Sequence, residues 1–383
     1  MKIGIVLYPT FGGSGVVATE LGIALANKGC EVHFITYKQP VRLDLLTKNV
    51  FYHEVFVEEY PLFHYQPYEL ALSTKLVEVA ERYNLDILHV HYAIPHAYAA
   101  YMAKKMLLEK GQFLPFVTTL HGTDITLVGS HPSYKTAVEF SINNSDAVTA
   151  VSDSLREDTL RLFDIHKEIK VVYNFIDVNK YPDIEADECD RSVLAKENER
   201  IITHVSNFRP VKRVEDVVRI FEKIQQKIPS KLLLVGDGPE REKVDALCKK
   251  LQIKEKVIFL GNSNEVNKIL CYSDLFLLPS QTESFGLAAL EAMAARTPVI
   301  SSNSGGLSEV NLHGVTGYLS DVGKVEEMAE NAILILKEQK ELTKFKDRAK
   351  EHSQKFTLEQ ILPQYIEIYE SILKEKIIST SNE

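Results

Sequence analysis

Five short stretches of this chain put polar or charged side chains where ligands are commonly held. Gly12-Gly13-Ser14-Gly15 follows an apolar run and precedes a helix-period segment. Glycines let backbone N–H groups approach a ligand, and a helix N-terminus favours an anion. The loop therefore reads as an anion cradle or as a tight turn without a ligand. It is neither the spaced G-x-G-x-x-G dinucleotide fingerprint nor a P-loop, which needs Gly-Lys-Ser/Thr. Leu120-His121-Gly122-Thr123-Asp124 follows a second apolar run directly. It reads either as a ligand contact at a strand's carboxyl end or as a loop capped by Thr123 or Asp124.

Ser206 to Arg213 carries Arg209, Lys212 and Arg213, three cations within five residues. A diphosphate needs such partners, and arginine can bind one bidentately. The other reading is a solvated basic loop. Thr282-Glu283-Ser284-Phe285-Gly286-Leu287 leads into Ala288-Ala289-Leu290-Glu291. Here loop amides from Ser284 to Leu287 can cap phosphate oxygens, and a carboxylate can accept bonds from two vicinal hydroxyls of a sugar. The plainer reading is one carboxylate at a helix start and one on its surface. Finally, His89-Val90-His91 lies in an apolar run with His96 nearby. Residues i and i+2 of a strand share a face, which permits a metal pair. The nearest acid, Asp86, falls on the opposite parity, so histidines that are structural or touch substrate are expected instead. No Asp-x-Asp occurs, so the usual divalent clamp for a nucleotide sugar is not visible and no metal is expected.

Forty-four Lys and Arg against 53 Asp and Glu give a formal charge of −9. That argues against broad electrostatic binding to nucleic acid or anionic membranes, so an anionic substrate would need a local basic pocket. Cys30, Cys189, Cys248 and Cys271 include no C-x-x-C pair and are expected as thiols in a reducing compartment. Met1-Lys2 runs straight into Ile3 to Tyr8, which is strand length, and no apolar run is long enough to span a bilayer. A cytoplasmic protein without stable membrane association is expected.

Parallel sheets would position these stretches. Apolar runs at Ile3 to Tyr8, Val32 to Thr36, Ile87 to Val90, Phe116 to Leu120 and Ala147 to Val151 alternate with helix-period segments. Those segments are Val16 to Asn27, Glu69 to Tyr83, Pro95 to Lys110 and Tyr134 to Asn143. After a polar stretch from Tyr181 to Arg200, rich in Glu185, Asp187, Glu188 and Asp190, the alternation restarts. Its runs are Ile201 to Val205, Leu232 to Val235, Val257 to Leu260, Leu275 to Leu278 and Val299-Ile300. Continuous apolar runs alternating with helices predict α/β architecture with parallel sheets covered on both faces. Two such series in tandem predict two doubly wound domains, 1–178 and 179–356, with a helix over 357–376 that packs back on the first. Thr357 to Lys374 reads as that helix, followed by a fraying tail from Ser379 to Glu383.

Taken together, these motifs resemble the retaining GT-B glycosyltransferases over nearly the full length. Glu283 to Glu291 matches the family's E-x7-E frame as E-S-F-G-L-x-x-L-E. Val235 to Pro239, Asn303 to Glu309 and Val315 to Tyr318 are also similar to family segments. The blocks Tyr8-Pro9 with Gly12 to Gly15, His33 to Thr36, Leu88 to His96, Thr118 to Thr126 and Tyr173 to Asp177 resemble, within the family, the enzymes that glycosylate L-malate in bacillithiol biosynthesis.

The resemblance implies two facing Rossmann-like domains with an active-site cleft between them. The first would bind the acceptor and the second the nucleotide sugar. It implies transfer of N-acetylglucosamine from UDP-N-acetylglucosamine to the hydroxyl of L-malate, with retention and without a cofactor or metal, and it allows a homodimer. Glu283, His121, Lys212 and Arg209 become the catalytic candidates. Gly15, Asn207, Ser284, Phe285, Gly286, Leu287 and Glu291 would hold the donor. Gly13, Ser14, Tyr92 and Thr119 would hold the acceptor. One departure stands out: the wider family has glycine-arginine where this chain has Ser206-Asn207, so Arg209 is the expected replacement. The competing readings are a UDP-N-acetylglucosamine epimerase of the same fold, a transferase to another small polyol or a lipid, and a nucleotide-binding oxidoreductase built on the first glycine loop.

Overall fold

The computed structural model describes the chain apart from residues 11–12, 60–63, 182–190, 264 and 381–383, and apart from the side chains of 375–380. Gly12, the acidic cluster Glu185 to Asp190, Cys189 and the last three residues of the expected tail lie outside the described residues.

The chain divides into two compact bodies, Met1–Asn174 with Leu358–Glu383, and Phe175–Thr357. The first crossing falls after Asn174, where the sequence reading put it after residue 178. The local cause is pairing of the two crossing segments: Ile176 N–H donates to Phe356 O at 3.0 Å, and Ile176 bridges Thr357. Phe175 and Ile176 thus belong to the second body.

In the first body the described strands are β1 (Lys2–Val6), β2 (Glu31–Thr36), β3 (Val50–Glu54), β4 (Ile87–His91), β5 (Phe116–Leu120), β6 (Ala147–Ala150) and β7 (Ile169–Val171). They form one sheet in the order β3-β2-β1-β4-β5-β6-β7, parallel throughout. In the second body β8 (Arg200–Val205), β9 (Ser230–Val235), β10 (Val257–Gly261), β11 (Leu275–Leu278), β12 (Val299–Ser302) and β13 (Gly317–Ser320) run β10-β9-β8-β11-β12-β13, again parallel. In both sheets the strand order reverses beside the first strand of the body, between β1 and β4 and between β8 and β11. Crevices outside the carboxyl ends of such strands are where open α/β sheets bind ligands.

The central strands β4 and β5 are buried at every position, as a parallel sheet covered on both faces requires. β3 and β7 escaped the sequence reading because they are edge strands with mixed burial, and β7 has only 3 residues. Helix Val214–Gln225 shows how the layers hold: Val214, Val217, Val218, Phe221 and Ile224 recur at helical spacing and join Ile202, Leu232 and Leu234 in one core. Each fully buried side chain of this size contributes about 1.5–3 kcal/mol. Helix Tyr68–Tyr83 does the same in the first body through Leu72, Leu76, Val79 and Ala80 against Val6, Ile35 and Val90.

The last helix, Leu358–Thr380, runs past the expected Lys374. It buries Ile361, Leu362, Tyr365, Ile368, Tyr369 and Ile372, one face at helical spacing. The Tyr369 hydroxyl lies 2.7 Å from His89 Nδ1 inside the first body. Among the described residues no helix is long and apolar enough to cross a membrane. Cys30 and Cys248 are buried free thiols, as expected.

Tyr369→Phe keeps the packed ring and strips His89 Nδ1 of its partner. A buried polar atom left unpaired costs about 1–3 kcal/mol. Chemical denaturation is expected to show a loss of that size; an unchanged midpoint would mean the helix docks by apolar contact alone.

Candidate functional site

In the first body the site residues cluster where β1, β4 and β5 end. Helix Gly13–Asn27 opens beside the β1 loop, and its approach depends on Gly15: a Cβ there would lie 2.6 Å from Tyr8 O and 2.8 Å from Thr10 O. Ser14 in its first turn reaches across the point of strand reversal, with Oγ 2.5 Å from the Tyr92 hydroxyl. Tyr92 follows β4 with φ +86°, a strained conformation for a tyrosine, and its N–H donates to Thr119 O at 2.8 Å. Tyr8 packs its ring 5.2 Å from Tyr92 and 4.5 Å from His96. Burial, and next the Tyr92 hydroxyl, raise its pKa well above normal. Ser14 and Tyr92, two expected acceptor contacts, are thereby joined, while Tyr8 was seen only as part of a family segment.

Asp124 fixes the loop after β5. Its carboxylate accepts from Gly122 N–H (2.9 Å), His121 N–H (3.2 Å) and, across to the β4 loop, Ala93 N–H (2.8 Å). The capping reading of this loop is therefore correct for Asp124, and the cap is what holds His121 in place. Desolvation raises the carboxyl to about 6, against those backbone bonds.

The histidines of β4 meet this loop. His91 Nδ1 lies 2.8 Å from His121 Nε2, and His96 Nδ1 lies 2.5 Å from His91 O. His89 stacks on His91 at 4.4 Å and puts Nε2 2.7 Å from Thr119 Oγ1. Thr119 Oγ1 is also 2.7 Å from Thr149 Oγ1, and the residue is 1% exposed. The hydroxyl of Thr119, an expected acceptor contact, is thus bound into the interior. Among the described residues no group of three or more His, Cys, Asp or Glu is arranged to hold a metal ion.

In the second body the loops after β8 and β11 face each other across the other strand reversal. Gln281 N–H donates to Val211 O at 2.8 Å, and Lys212 Nζ lies 2.5 Å from Glu283 Oε1. Ser280 Oγ donates to the same oxygen at 3.0 Å. The Glu283 backbone is held by a turn after β12: Gly306 N–H donates to its carbonyl at 2.9 Å, and Gly305 has φ +59° with no room for a Cβ, which would meet that carbonyl at 2.1 Å. Arg209 and Asn207 are exposed on the β8 loop, whereas Arg213 is committed to Asp216 at 2.6 Å. Ser206 Oγ lies 2.7 Å from His204 Nε2, and burial keeps that imidazole neutral, with its pKa lowered to about 4. Gly286, at φ +95°, caps helix Leu287–Ala294, whose start has no side-chain cap. The first amides of that helix are therefore available to an anion. Ser284 and Leu287 flank this turn half-buried, Phe285 is buried 5.7 Å from the Phe356 ring, and Glu291 stands half-buried in the second turn. Lys212 and Glu283 are thus in contact. His121, Ser14 and Tyr92 belong to the other body.

Two family models match the chain, "Glycosyltransferase Family 4" over residues 11–180 and "Glycosyl transferases group 1" over residues 186–352. The N-acetyl-alpha-D-glucosaminyl L-malate synthase of Bacillus anthracis is 49% identical across 98% of both chains. The chain belongs to the GT-B glycosyltransferases. An uncharacterized glycosyltransferase of Methanocaldococcus jannaschii is 31% identical over 83% of this glycosyltransferase and 84% of its own length. Anabaena HepE, solved in complex with UDP-glucose, has the same fold, with a TM-score of 0.82 at 21% identity over 97% of this chain and 100% of its own.

His91, Asp124, Ser280 and the Gly305-Gly306 turn were not among the expected site residues. The i, i+2 spacing of His89 and His91 was visible, but the contact with His121 depends on the pairing of β4 with β5.

The buried imidazoles are expected to make the fold acid-sensitive. An unfolded imidazole takes its proton near pH 6.5; in the fold, desolvation lowers His89 and His121 to about 3 and His96 to about 4, and His91 falls well below its usual range. Between those limits the unfolded chain binds more protons, so stability is present above pH 6.5 and is lost as pH falls. Asp124 opposes this, since its folded value of about 6 lies above the usual 3.8, but it is one group against four. Thermal midpoints are expected to drop steadily from pH 7 to pH 4.5. A flat or rising profile would contradict the neutral-imidazole core.

Proposed function

We propose that this glycosyltransferase moves N-acetylglucosamine from UDP-N-acetylglucosamine to the hydroxyl of L-malate with retention of configuration, the first step of bacillithiol biosynthesis. The observation that carries the reading is the 49% identity over 98% of both chains to the Bacillus anthracis enzyme named for that product. The reading takes the protein as cytoplasmic and needs neither a metal nor a cofactor.

In this reading the second body holds the donor. Glu291 accepts bonds from the uridine ribose hydroxyls. Lys212, Arg209, the Asn207 side chain and the amides from Ser284 to Leu287 stabilise the charge that develops on the diphosphate, each positioned contact being worth about 2–4 kcal/mol in the transition state. A diphosphate meets Lys212 already paired with Glu283, so binding exchanges one anionic partner for another and frees the Glu283 carboxylate for the hydroxyls of the transferring sugar. His121 and the Gly15 amide meet the same sugar from the first body. The malate carboxylates are met by Gly13 and Ser14 at the helix start and by Tyr92. The bond from the anomeric carbon to the diphosphate oxygen breaks, the bond to the malate oxygen forms on the same face, and the departing β-phosphate takes the malate hydroxyl proton. No side chain then has to act as the base.

The test is mass spectrometry of purified protein with UDP-N-acetylglucosamine, with and without L-malate, in EDTA. A malate-dependent product carrying one N-acetylhexosamine, with matching UDP release, is expected. UDP release with no malate adduct would overturn the acceptor assignment, and loss of activity in EDTA would overturn metal independence.

A further inference from the structure

His91 touches the site only through another imidazole, and the hydrogen-bond pattern around it dictates where protons sit. His96 Nδ1 faces the His91 carbonyl, which can only accept, so His96 carries its proton on Nδ1. His91 Nδ1 faces His121 Nε2, and exactly one of those two nitrogens bears the shared hydrogen. If His121 donated, the His91 proton would sit on Nε2. That atom is buried with no partner among the described residues. An orphaned buried N–H is rare and costs about 1–3 kcal/mol. If His91 donates, Nε2 is a bare lone pair, and the His121 proton moves to Nδ1. His121 is the least buried of the four imidazoles, at 9% exposure against 0–1% for His89, His91 and His96.

We infer that His91 is a positioning residue: it donates to His121 Nε2 and so fixes His121 as a neutral ring that presents an Nδ1–H donor to an oxygen of the transferring sugar. The inference rests on the proposed reading that His121 meets that sugar. His91 is itself held. It stacks on His89, and His89 is pinned by the Tyr369 hydroxyl and by Thr119 Oγ1, both at 2.7 Å. A neutral donor suits the chemistry. The sugar ring gains positive charge as the bond to the leaving group lengthens. An imidazolium beside it would repel that charge, and a ring with a bare Nδ1 would leave the sugar oxygen without its donor. Burial of the whole cluster favours the neutral form of every ring in it.

Long-range 1H–15N spectra of the full-length, histidine-labelled protein read tautomers directly, with the His121 signal assigned through its loss in His121→Gln. The expected result is Nδ1–H for His121 and Nδ1–H for His91. An Nε2–H tautomer at His121 would overturn the inference. Two variants test the consequence. His91→Phe fills the volume but cannot donate; it is expected to lower kcat about tenfold or more with the donor KM little changed. His91→Asn keeps an N–H near the original Nδ1 and is expected to restore most of kcat, with His121 still in the Nδ1–H form. If His91→Phe retains kcat, the inference fails. Should that variant not fold, the wild-type spectrum and the kinetics of His91→Asn decide. Absence of any transfer to malate by wild type would instead count against the proposed reaction, while the spectra still judge the tautomer.

Discussion

All the chemistry in this protein depends on one constraint: every strand pairing in both sheets is parallel. Parallel strands must be joined by crossovers, so both faces of each sheet are covered and the polar loops collect at the carboxyl ends. Where the strand order reverses, neighbouring crossovers depart in opposite directions and leave a crevice. Each body bridges that crevice with a short contact between polar side chains. In the first it is Ser14 to Tyr92, between the segments that follow β1 and β4; in the second it is Lys212 to Glu283, between those that follow β8 and β11. The two halves repeat the same geometry with different chemistry, a neutral hydroxyl pair in one and an ion pair in the other.

The supports behind these contacts are as informative as the contacts. Glu283 is positioned from the backbone side by the Gly305-Gly306 turn and from the side-chain side by Ser280 and Lys212. His121 is positioned by the Asp124 cap at its amide and by His91 at its ring. In the first body the supporting groups are buried imidazoles and hydroxyls that reach the last helix through Tyr369, so the return of the chain to its first body is tied to the groups behind the site. A site held this way is rigid at little entropic cost on binding, and that matters most for groups that must meet a transition state.

The fold was legible because its signal is simple. Runs such as Phe116 to Leu120 are wholly apolar or hydroxyl-bearing and are buried throughout, which is what the alternating pattern predicted. Edge strands such as β3 and β7 carried no such signal. The E-x7-E frame made Glu283 and Glu291 visible, and the Gly286 cap behaved as a glycine before a helix should. What the sequence could not disclose were contacts set by register and crossover. Thr119 read as a strand-end polar residue open to a ligand, yet pairing of β4, β5 and β6 turns its hydroxyl to His89 and Thr149. Asp124 and Ala93 are far apart in sequence and meet only because β4 and β5 are neighbours.

The central claim is that the strand-reversal loops of the second body hold the nucleotide. Hydrogen exchange read by mass spectrometry, with and without saturating UDP, tests it directly. The account predicts slowed exchange in residues 206–213 and 281–291, around Lys212 and the Gly286 cap. Unchanged exchange there, with slowing confined to the Met1–Asn174 body, would contradict it.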